Sequence, residues 1–580
     1  MEKYYTDERN AQIVVALLKA HGIRKVVASP GMTNVAFVRS VQIDSFFEVY
    51  SSIDERSAAY IACGLAYESG EPVVISCTGA TASRNYLPGL TEAYYRKLPI
   101  LAITSTRDIS KYGHHEDQVI DRSVIQKDVA KLSVTLPFIK DENDIWECEI
   151  KTNKAILELT RHGGGPVHIN LTTKFTRSFT TKELPDVKVV NRITVNDEFP
   201  PIPQGKVVIF VGSHKPFTSA QTAAVEKFCA VNDAVVLCDH TSSYNGKYKV
   251  LYRLVLAQQM LVHADFMPDL LIHIGEISAF FGAFRGKPKQ VWRVSEDGEV
   301  RDTLHKLRYV FEMPEQSFFE HYLNDETNVK DKYFRRWIIK TDELNNNLPE
   351  LPFSNMWIAS RTASRIPEGS TIHFGILNSL NTWCFFGLPD SVSSASNVGG
   401  FGIDGGVSSL LGASLANKNK LYFGIFGDLA FFYDMNVIGN RHLGNNLRLM
   451  LINNGKGAEF RLYYNMSAQF GEETDEYIAA AGHYGNKSQE LVKHYAQDLG
   501  FEYLYASNKQ EFEQVYERFI TPEITKQSML CEVFTNSQDE SYSHEIIRKI
   551  EKNMTGRIKE LTKQVLGDKN INIIKKIINN

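Results

Sequence analysis

Two polar segments in the last third of the sequence combine residue types that can hold a metal ion and a phosphate group. Gly427-Asp428-Leu429-Ala430 comes directly after an apolar, strand-like run, and Asn453-Asn454-Gly455-Lys456-Gly457 comes directly after the next one. Carboxylate and amide oxygens suit Mg²⁺, and glycines let the backbone approach a ligand closely. Each segment alone is more often a turn, but open α/β sheets bind ligands at the carboxyl ends of their strands. The pair therefore predicts a metal–phosphate site.

A third polar segment, Asp54-Glu55-Arg56, lies early in the chain between a strand-like run and a helix. An acidic first turn is favourable to the helix dipole, and this is its ordinary explanation. A carboxyl group held in an apolar cleft can also act as a general acid, with a raised pKa. Glu55 is therefore a candidate catalytic residue.

The elements that must position these residues alternate between helix and strand along the whole chain. We expect strands at 25–28, 73–76 and 100–103, with helices over 56–69 and 84–96. Short apolar strands that do not alternate with polar residues imply parallel sheets covered on both faces. The pattern predicts an α/β protein of three consecutive doubly wound, mostly parallel-sheet domains.

Changes in composition suggest where the domains meet. Residues 180–200 are charged and dotted with proline, which suggests a linker, and residues 345–352 form a second polar stretch. We place the domains at 1–185, 186–350 and 351–580. The lysine-rich tail beyond about Ser543 is expected to be a solvated helix.

Composition excludes several classes of function. The net charge of −4 gives no general reason to bind nucleic acid or an anionic membrane, and no apolar run is long enough to span a bilayer. The N-terminus is polar, unlike a signal peptide. The seven cysteines are scattered without a C-x-x-C pair, which is typical of reduced thiols in the cytoplasm.

Gly427-Asp428 followed by Asn453-Asn454 resembles the thiamine-diphosphate motif of pyruvate decarboxylase, acetolactate synthase and their relatives. Leu429 departs from the common Gly-Asp-Gly, but it matches the MenD branch, the 2-succinyl-5-enolpyruvyl-6-hydroxy-3-cyclohexene-1-carboxylate synthases. The resemblance covers nearly the whole chain, and it implies thiamine diphosphate and Mg²⁺ as cofactors. The implied Mg²⁺ ligands are Asp428, the Asn454 side chain and the Lys456 backbone carbonyl.

The resemblance also assigns cofactor contacts. Glu55 matches the glutamate that activates the aminopyrimidine ring by general acid catalysis, and Ile403 in Gly402-Ile403-Asp404-Gly405 matches the apolar wedge that holds the cofactor bent. An ordinary core isoleucine is the alternative for Ile403. The three domains become pyrimidine-binding, central and diphosphate-binding. The remaining implied cofactor contacts are Thr78, Gly79, Ser379, Leu380, Gly402, Gly427, Leu429, Ala430 and Gly457.

The substrate side departs from the family. MenD enzymes carry arginines where this chain has Thr33, Trp383 and Val398, whereas Arg107 and Gln118 match residues on the substrate or cofactor side. Arginine is the natural partner of carboxylates, so these losses argue against the usual pair, 2-oxoglutarate and isochorismate. Lys456, His114 and His115 could contact a different substrate, although surface positions are more common for such residues.

The sequence therefore predicts a carboligase that decarboxylates a 2-oxo acid and transfers the acyl carbanion to an acceptor, with substrate specificity altered from that of MenD. The alternatives are a decarboxylase that releases an aldehyde, a true MenD synthase, and a non-catalytic homologue that serves as an assembly subunit. The resemblance further implies a homodimer or homotetramer with its active site at the subunit interface.

Overall fold

The computed structural model describes residues 3–551 except 123, 285, 324–329 and 484–486. The chain forms two compact units, residues 1–199 with 297–312, and residues 200–296 with 313–580. The first unit contains a six-stranded sheet and a further pair of strands, and the second contains two sheets. Every pairing described between their strands is parallel, so the predicted α/β fold is confirmed. The domain bounds at 185 and 350 stay a prediction.

The first unit is built on a six-stranded sheet in the order β2-β1-β3-β4-β6-β5. Its strands are β1 (Lys25–Ala28), β2 (Glu48–Ser51), β3 (Val73–Cys77), β4 (Ile100–Thr106), β5 (Leu132–Leu136) and β6 (Val167–Thr172), and β7 (Asn191–Thr194) follows outside the sheet. Its helices are α1 (Arg9–Ala20), α2 (Val35–Ile43), α3 (Glu55–Ser69), α4 (Thr81–Asn85), α5 (Leu87–Tyr95) and α6 (Glu142–Glu158).

Helices cover both faces of this sheet, as the doubly wound prediction requires. Val26 and Val74 belong to a core that also contains apolar residues of α1, α2 and α6. Val27 and Ile75, one residue further along each strand, belong to a second core with α3 and α5. Successive strand residues point to opposite faces, so continuous apolar strands are needed to fill both cores.

The second unit begins with five parallel strands in the order β10-β9-β8-β11-β12. They are β8 (Val207–Val211), β9 (Ala234–Cys238), β10 (Lys249–Leu251), β11 (Leu270–Ile274) and β12 (Gln290–Ser295). β13 (Leu307–Glu312) belongs to the first unit, where it pairs in parallel with β7. The helices of this part are α7 (Ser219–Asn232), α8 (Arg253–Ala257), α9 (His263–Phe266), α10 (Glu315–His321) and α11 (Lys332–Asn346).

The last sheet of the second unit repeats the strand order of the first, β15-β14-β16-β17-β19-β18. Its strands are β14 (Thr371–Phe374), β15 (Ser393–Ser396), β16 (Tyr422–Gly427), β17 (Leu447–Asn453), β18 (Glu502–Ala506) and β19 (Met529–Phe534). Its helices are α12 (Asn355–Thr362), α13 (Asn378–Trp383), α14 (Gly406–Ala416), α15 (Asp428–Asp434), α16 (Thr474–Tyr477), α17 (Leu491–Asp498), α18 (Lys509–Phe519) and α19 (Ser537–Ile547).

Two local expectations differ from the structure. The helix predicted over 84–96 is divided into α4 and α5, and Pro88 lies in the first turn of α5, where its missing N–H is tolerated. The linker predicted over 180–200 contains β7, whose partner β13 lies far along the chain and leaves no local sign in the sequence. The described part of the predicted tail helix ends at Ile547 in α19, where Ser543, His544 and Ile547 are buried and not solvated as expected. Residues from 552 onward lie outside the described part.

Three features of the described residues concern disulfides, metal clusters and membrane spans. All seven cysteines are free and buried. Among the described residues, no group of three or more His, Cys, Asp or Glu side chains could hold a metal ion by itself. No helix in the described part of the chain has the length and apolar character to cross a bilayer.

Gly424 in β16 leaves no space for a side chain. A Cβ at this position would lie 2.5 Å from Leu410 of α14 and 2.5 Å from the ring of Phe426. We expect Gly424→Ala to lower the free energy of unfolding by about 1–3 kcal/mol, because the core must shift to accept the methyl group. Urea denaturation measures the change.

The matched control is Gly412→Ala in α14, the helix that packs against β16. A Cβ there meets nothing within 4 Å. We expect this variant to gain up to about 1 kcal/mol from helix propensity. Equal stability of the two variants would contradict the close packing of β16 against α14.

Candidate active site

The carboxyl ends of β16 and β17 lie side by side in the last sheet, where Gly427 is in register with Ile452. Asp428 opens α15 directly after β16, and Asn454 follows β17. Both contribute to a cavity of about 90 Å³. The structure thus brings the two polar segments together at one sheet edge. The predicted residues that line this cavity are Ser379, Ile403, Gly427, Asp428, Leu429, Ala430, Asn454, Lys456 and Gly457.

Asp428 is almost fully buried, with 4% of its surface exposed. Burial raises the pKa of its carboxyl group to about 7, although backbone amides of Leu429 and Gly455 donate to it and partly offset the effect. The neighbouring Glu532 carboxylate also raises this pKa. A carboxylate in such a place is unfavourable by itself, and a bound cation would stabilise it.

Asn454 offers the second oxygen. Its Oδ1 atom is buried and accepts no hydrogen bond from any described residue. The preceding Asn453 is fixed differently, because its Nδ2 donates to Glu532 Oε1 at 2.7 Å, while Tyr503 donates to the other carboxylate oxygen at 2.7 Å. An unsatisfied amide oxygen beside a buried carboxylate fits a hard cation such as Mg²⁺.

Lys456 and Gly457 border the same cavity in different ways. The Lys456 ammonium group donates to Asp475 at 2.5 Å, and Arg461 pairs with the same carboxylate at 2.7 Å, so Lys456 is engaged within the protein. A Cβ at Gly457 would lie 3.0 Å from the ring of Phe460, and glycine permits this close approach. The Mg²⁺ ligand predicted for this turn is the Lys456 backbone carbonyl, and it stays a prediction.

Of the residues predicted around 379 and 403 as cofactor contacts, only some line the cavity. Ser379 and Ile403 line the cavity, whereas Leu380 is fully buried and Gly402 is outside the lining. Leu377, two residues before Ser379, has φ of 66°, an unfavourable value for a leucine, and it also lines the cavity. The wedge role of Ile403 is consistent with its position and stays a prediction.

Several lining residues escaped the sequence analysis. Glu459 and Phe460 come just after the Asn-Asn-Gly-Lys-Gly segment, and Asn355 and Asn378 open α12 and α13. Only Glu459 and Phe460 lie close enough to the motif in the sequence for a role in the site to have been suspected. The other lining residues that were missed are Ile376, Leu377, Ile452 and Ala458.

In the first unit, Glu55 is the first residue of α3. The Asp54 side chain caps the helix by accepting from the Arg56 amide at 3.0 Å. The Glu55 carboxylate is half-buried and accepts a hydrogen bond from Asn85 at 3.2 Å. The cap fixes the start of α3 and therefore the position of Glu55.

Thr33, Thr78 and Gly79 form one hydrogen-bonded cluster beside the ends of β3 and β4. Thr33 Oγ1 lies 2.5 Å from Thr78 Oγ1, and it accepts from the Gly79 amide at 3.2 Å. A Cβ at Gly79 would lie 2.9 Å from the Ser105 carbonyl oxygen. Thr33, predicted as a substrate contact, is buried and bonded to the two predicted cofactor contacts.

The loop after β4 holds the other substrate candidates of the first unit. Arg107 pairs with Glu116 at 3.2 Å and Asp117 at 3.1 Å, so its charge is balanced within the loop. Gln118 is exposed and has φ of 59°. His114 and His115 are also exposed.

Trp383 and Val398 are buried in the second unit. The Trp383 indole donates to Asn355 Oδ1 at 3.0 Å and packs against Phe374. Val398 is 4% exposed and follows β15. Neither residue lines the cavity, and their predicted roles in substrate specificity stay predictions.

Comparison with known proteins agrees with this geometry. Residues 9–125 match the family described as thiamine pyrophosphate enzyme, N-terminal TPP binding domain. The chain is 30% identical to a 2-succinyl-5-enolpyruvyl-6-hydroxy-3-cyclohexene-1-carboxylate synthase from Bacteroides fragilis, over 93% of this chain and 98% of that protein. Proteins of the same name from Phocaeicola vulgatus (31%, 93% and 97%) and Bacteroides thetaiotaomicron (31%, 94% and 100%) are similar to it.

The buried carboxylate of Asp428 gives a direct test of the site. We expect Asp428→Asn to lose most of the stabilisation by thiamine diphosphate with Mg²⁺, which for wild type is about 2.7 kcal/mol at a ligand concentration of 100 Kd. Without ligand the variant should be at least as stable as wild type, because a buried charge is removed. Thermal unfolding with and without the two ligands measures both effects.

Asp498→Asn at the exposed end of α17 is the matched control, and we expect it to keep the full response to ligand. An Asp428→Asn variant that responds like this control would show that the carboxylate does not hold the metal.

Proposed function

This chain belongs to the family of thiamine-diphosphate-dependent 2-succinyl-5-enolpyruvyl-6-hydroxy-3-cyclohexene-1-carboxylate synthases, and from that premise we propose that it decarboxylates a 2-oxo acid and transfers the acyl group to an acceptor. The single observation that carries the proposal is the buried Asp428 carboxylate beside the unsatisfied Asn454 oxygen. These two groups fit a magnesium ion that binds a diphosphate.

The cofactors are thiamine diphosphate and a divalent metal, typically Mg²⁺. When bound, the cofactor would supply the carbon nucleophile for the keto group and the electron sink for decarboxylation. In the proposal, Asp428 and Asn454 hold the metal, and the close turn at Gly457 lets the backbone approach the diphosphate. Ile403 supports the thiazolium ring from the cavity wall.

Glu55 is proposed as the group that protonates the pyrimidine ring nitrogen. Its position as the first residue of α3 is fixed by the Asp54 cap, and only Asn85 is hydrogen-bonded to its carboxylate among the described residues. A carboxyl group with this limited engagement can accept and donate a proton.

A homodimer or larger homo-oligomer is proposed, with each active site shared between subunits. α3 buries its alanine face and turns Tyr60, Ile61 and Tyr67 outward, with exposed fractions of 46%, 47% and 66%. In the second unit, Tyr433 at the end of α15 is 63% exposed. An exposed apolar patch such as that on α3 marks protein–protein contacts, and it lies on the helix that Glu55 begins.

The substrates are proposed to be a small 2-oxo acid and a small acceptor, with specificity altered from that of the named relatives. Thr33, Trp383 and Val398 replace the arginines of the family, and all three are buried and apolar or internally bonded. The printed names of the relatives favour a second candidate, the same synthase reaction with 2-oxoglutarate and isochorismate. The free, buried cysteines support a cytoplasmic location.

Glu55→Gln tests the proposed reaction. Wild type with thiamine diphosphate and Mg²⁺ should release CO₂ from at least one member of a panel of 2-oxo acids, 2-oxoglutarate included. The variant should lose about 10²–10⁴-fold in rate, because the amide cannot transfer a proton, while keeping cofactor binding. CO₂ release with and without added acceptors, isochorismate among them, separates carboligation from simple decarboxylation.

Glu92→Gln on α5 serves as the control, since its exposed pair with Arg96 contributes little. A near-normal rate in Glu55→Gln would remove Glu55 from the reaction, and no CO₂ from any 2-oxo acid with wild type would refute the proposed function.

Mixing two inactive variants tests whether subunits share the site. In a random mixture of Glu55→Gln and Asp428→Asn subunits, each mixed dimer has one site with both changes and one site with neither. We expect recovery of about a quarter of the wild-type activity, which follows from the two-fold symmetry of a dimer with shared sites. A mixture as inactive as its components after subunit exchange would place both residues in one subunit's site.

A further inference from the structure

Arg253, the first residue of α8, lies in an aromatic and polar niche of the second unit. Its guanidinium carbon is 4.5 Å from the centre of the Phe280 ring and 5.3 Å from that of Phe385. One terminal nitrogen donates to Asn381 Oδ1 of α13 at 2.5 Å. Stacking and one neutral acceptor orient this cation without neutralising it.

A second arginine faces the same niche. The guanidinium carbon of Arg548, just after α19, lies 3.9 Å from the centre of the Tyr464 ring. Burial lowers the pKa of Arg253, and the charge of Arg548 lowers it further, so the two cations lie within electrostatic reach of each other. Like charges this close are unfavourable unless an anion lies between them.

No described carboxylate lies within 4.0 Å of either guanidinium group. The charge of Glu459 interacts with both arginines, and its buried Oε2 atom has no hydrogen-bond partner among the described residues. Burial raises the pKa of Glu459. Two guanidinium groups against this one carboxyl group leave the niche with an excess of positive charge.

Several buried polar atoms around the niche are unsatisfied. The Nε atoms of Arg253 and Arg548 and the hydroxyl of Tyr464 have no hydrogen-bond partner in the described part of the protein. Such groups are rare in folded proteins and each implies a missing partner. Three donors around two cations are the complement of a carboxylate.

The niche adjoins the cofactor cavity. Glu459 lines that cavity and interacts with both arginines. Asn378 also lines it and accepts from His544 at 3.4 Å, one helical turn before Arg548. Glu459 and Asn378 therefore link the wall of the cofactor cavity to the residues around the arginine pair.

We propose that Arg253 and Arg548 form an anion-binding subsite that receives a carboxylate of the substrate, remote from the carbon that reacts. This inference rests on the proposed function. It implies that the substrate carries a second acidic group in addition to the one next to the keto carbon. It also resolves the loss of arginines at 33, 383 and 398, because carboxylate recognition is supplied from α8 and the end of α19 instead.

Binding of unreactive acids to the protein loaded with thiamine diphosphate and Mg²⁺ tests the subsite. We expect glutarate to bind more tightly than butyrate, which lacks the second carboxylate. Arg253→Met and Arg548→Met should each weaken glutarate binding by about 10–100-fold, the usual effect of removing a charge-assisted hydrogen bond. Butyrate binding should be unchanged, and titration calorimetry measures both acids.

Arg335→Met, at an exposed position of α11, is the control and should bind glutarate as wild type does. Arg253→Lys and Arg548→Lys keep the positive charge and should bind glutarate with intermediate affinity. Such partial recovery would show that the methionine variants lose binding through the lost charge and not through misfolding. Glu459→Gln should bind it at least as tightly as wild type. Equal binding of the two acids by wild type, or unchanged glutarate binding in both methionine variants, would overturn the proposal.

Kinetic measurements show whether the donor or the acceptor carries the carboxylate that the arginines bind. If the donor carries it, the arginine variants raise the KM for CO₂ release from 2-oxoglutarate but not from 2-oxobutyrate; if the acceptor carries it, CO₂ release is unchanged and only carboligation falls. Absence of CO₂ release from every 2-oxo acid refutes the proposed function alone, since glutarate binding is measured without turnover.

Discussion

The buried Asp428 carboxylate is the constraint on which the rest of the second unit depends. It lies where β16 ends, and burial raises its pKa to about 7, which makes the ionised form unfavourable without a cation. Asn454 adds an unsatisfied oxygen from the adjacent strand end. A bound cation would stabilise both groups, and under the proposed function this sheet edge is organised to bind one.

The arrangement of the strands makes that edge possible. β16 and β17 are central neighbours in a parallel sheet, and their carboxyl ends therefore meet at one edge. Gly424 lets α14 pack closely on β16, and Glu532 of β19 holds Asn453 from the other side. The position of the two oxygens is thus set by the packing of strands and helices that do not touch the ligand.

Structural features that depend on residues close together in the sequence were predicted better than features that depend on distant residues. The parallel sheets followed from short apolar strands, and Asp428 and Asn454 followed from polar residues directly after two of them. β7 was missed because its partner is distant in sequence, and the break between α4 and α5 was missed because Pro88 begins a helix as readily as it ends one. Lys456 was left open as a substrate contact, and the structure engages it with Asp475.

The same distinction separates the cofactor side of the site from the substrate side. The proposed metal ligands Asp428 and Asn454 each follow a strand directly in the sequence. Arg253, Asn381, Glu459 and Arg548 come from four segments that only the folded second unit assembles. No pattern in the chain relates an arginine in a short helix to another near residue 550. The lost arginines change where an acidic group can be recognised, and the proposed subsite would supply positive charge from other segments of the second unit. Under the proposals, the strand geometry constrains the cofactor end of the site more than the substrate end.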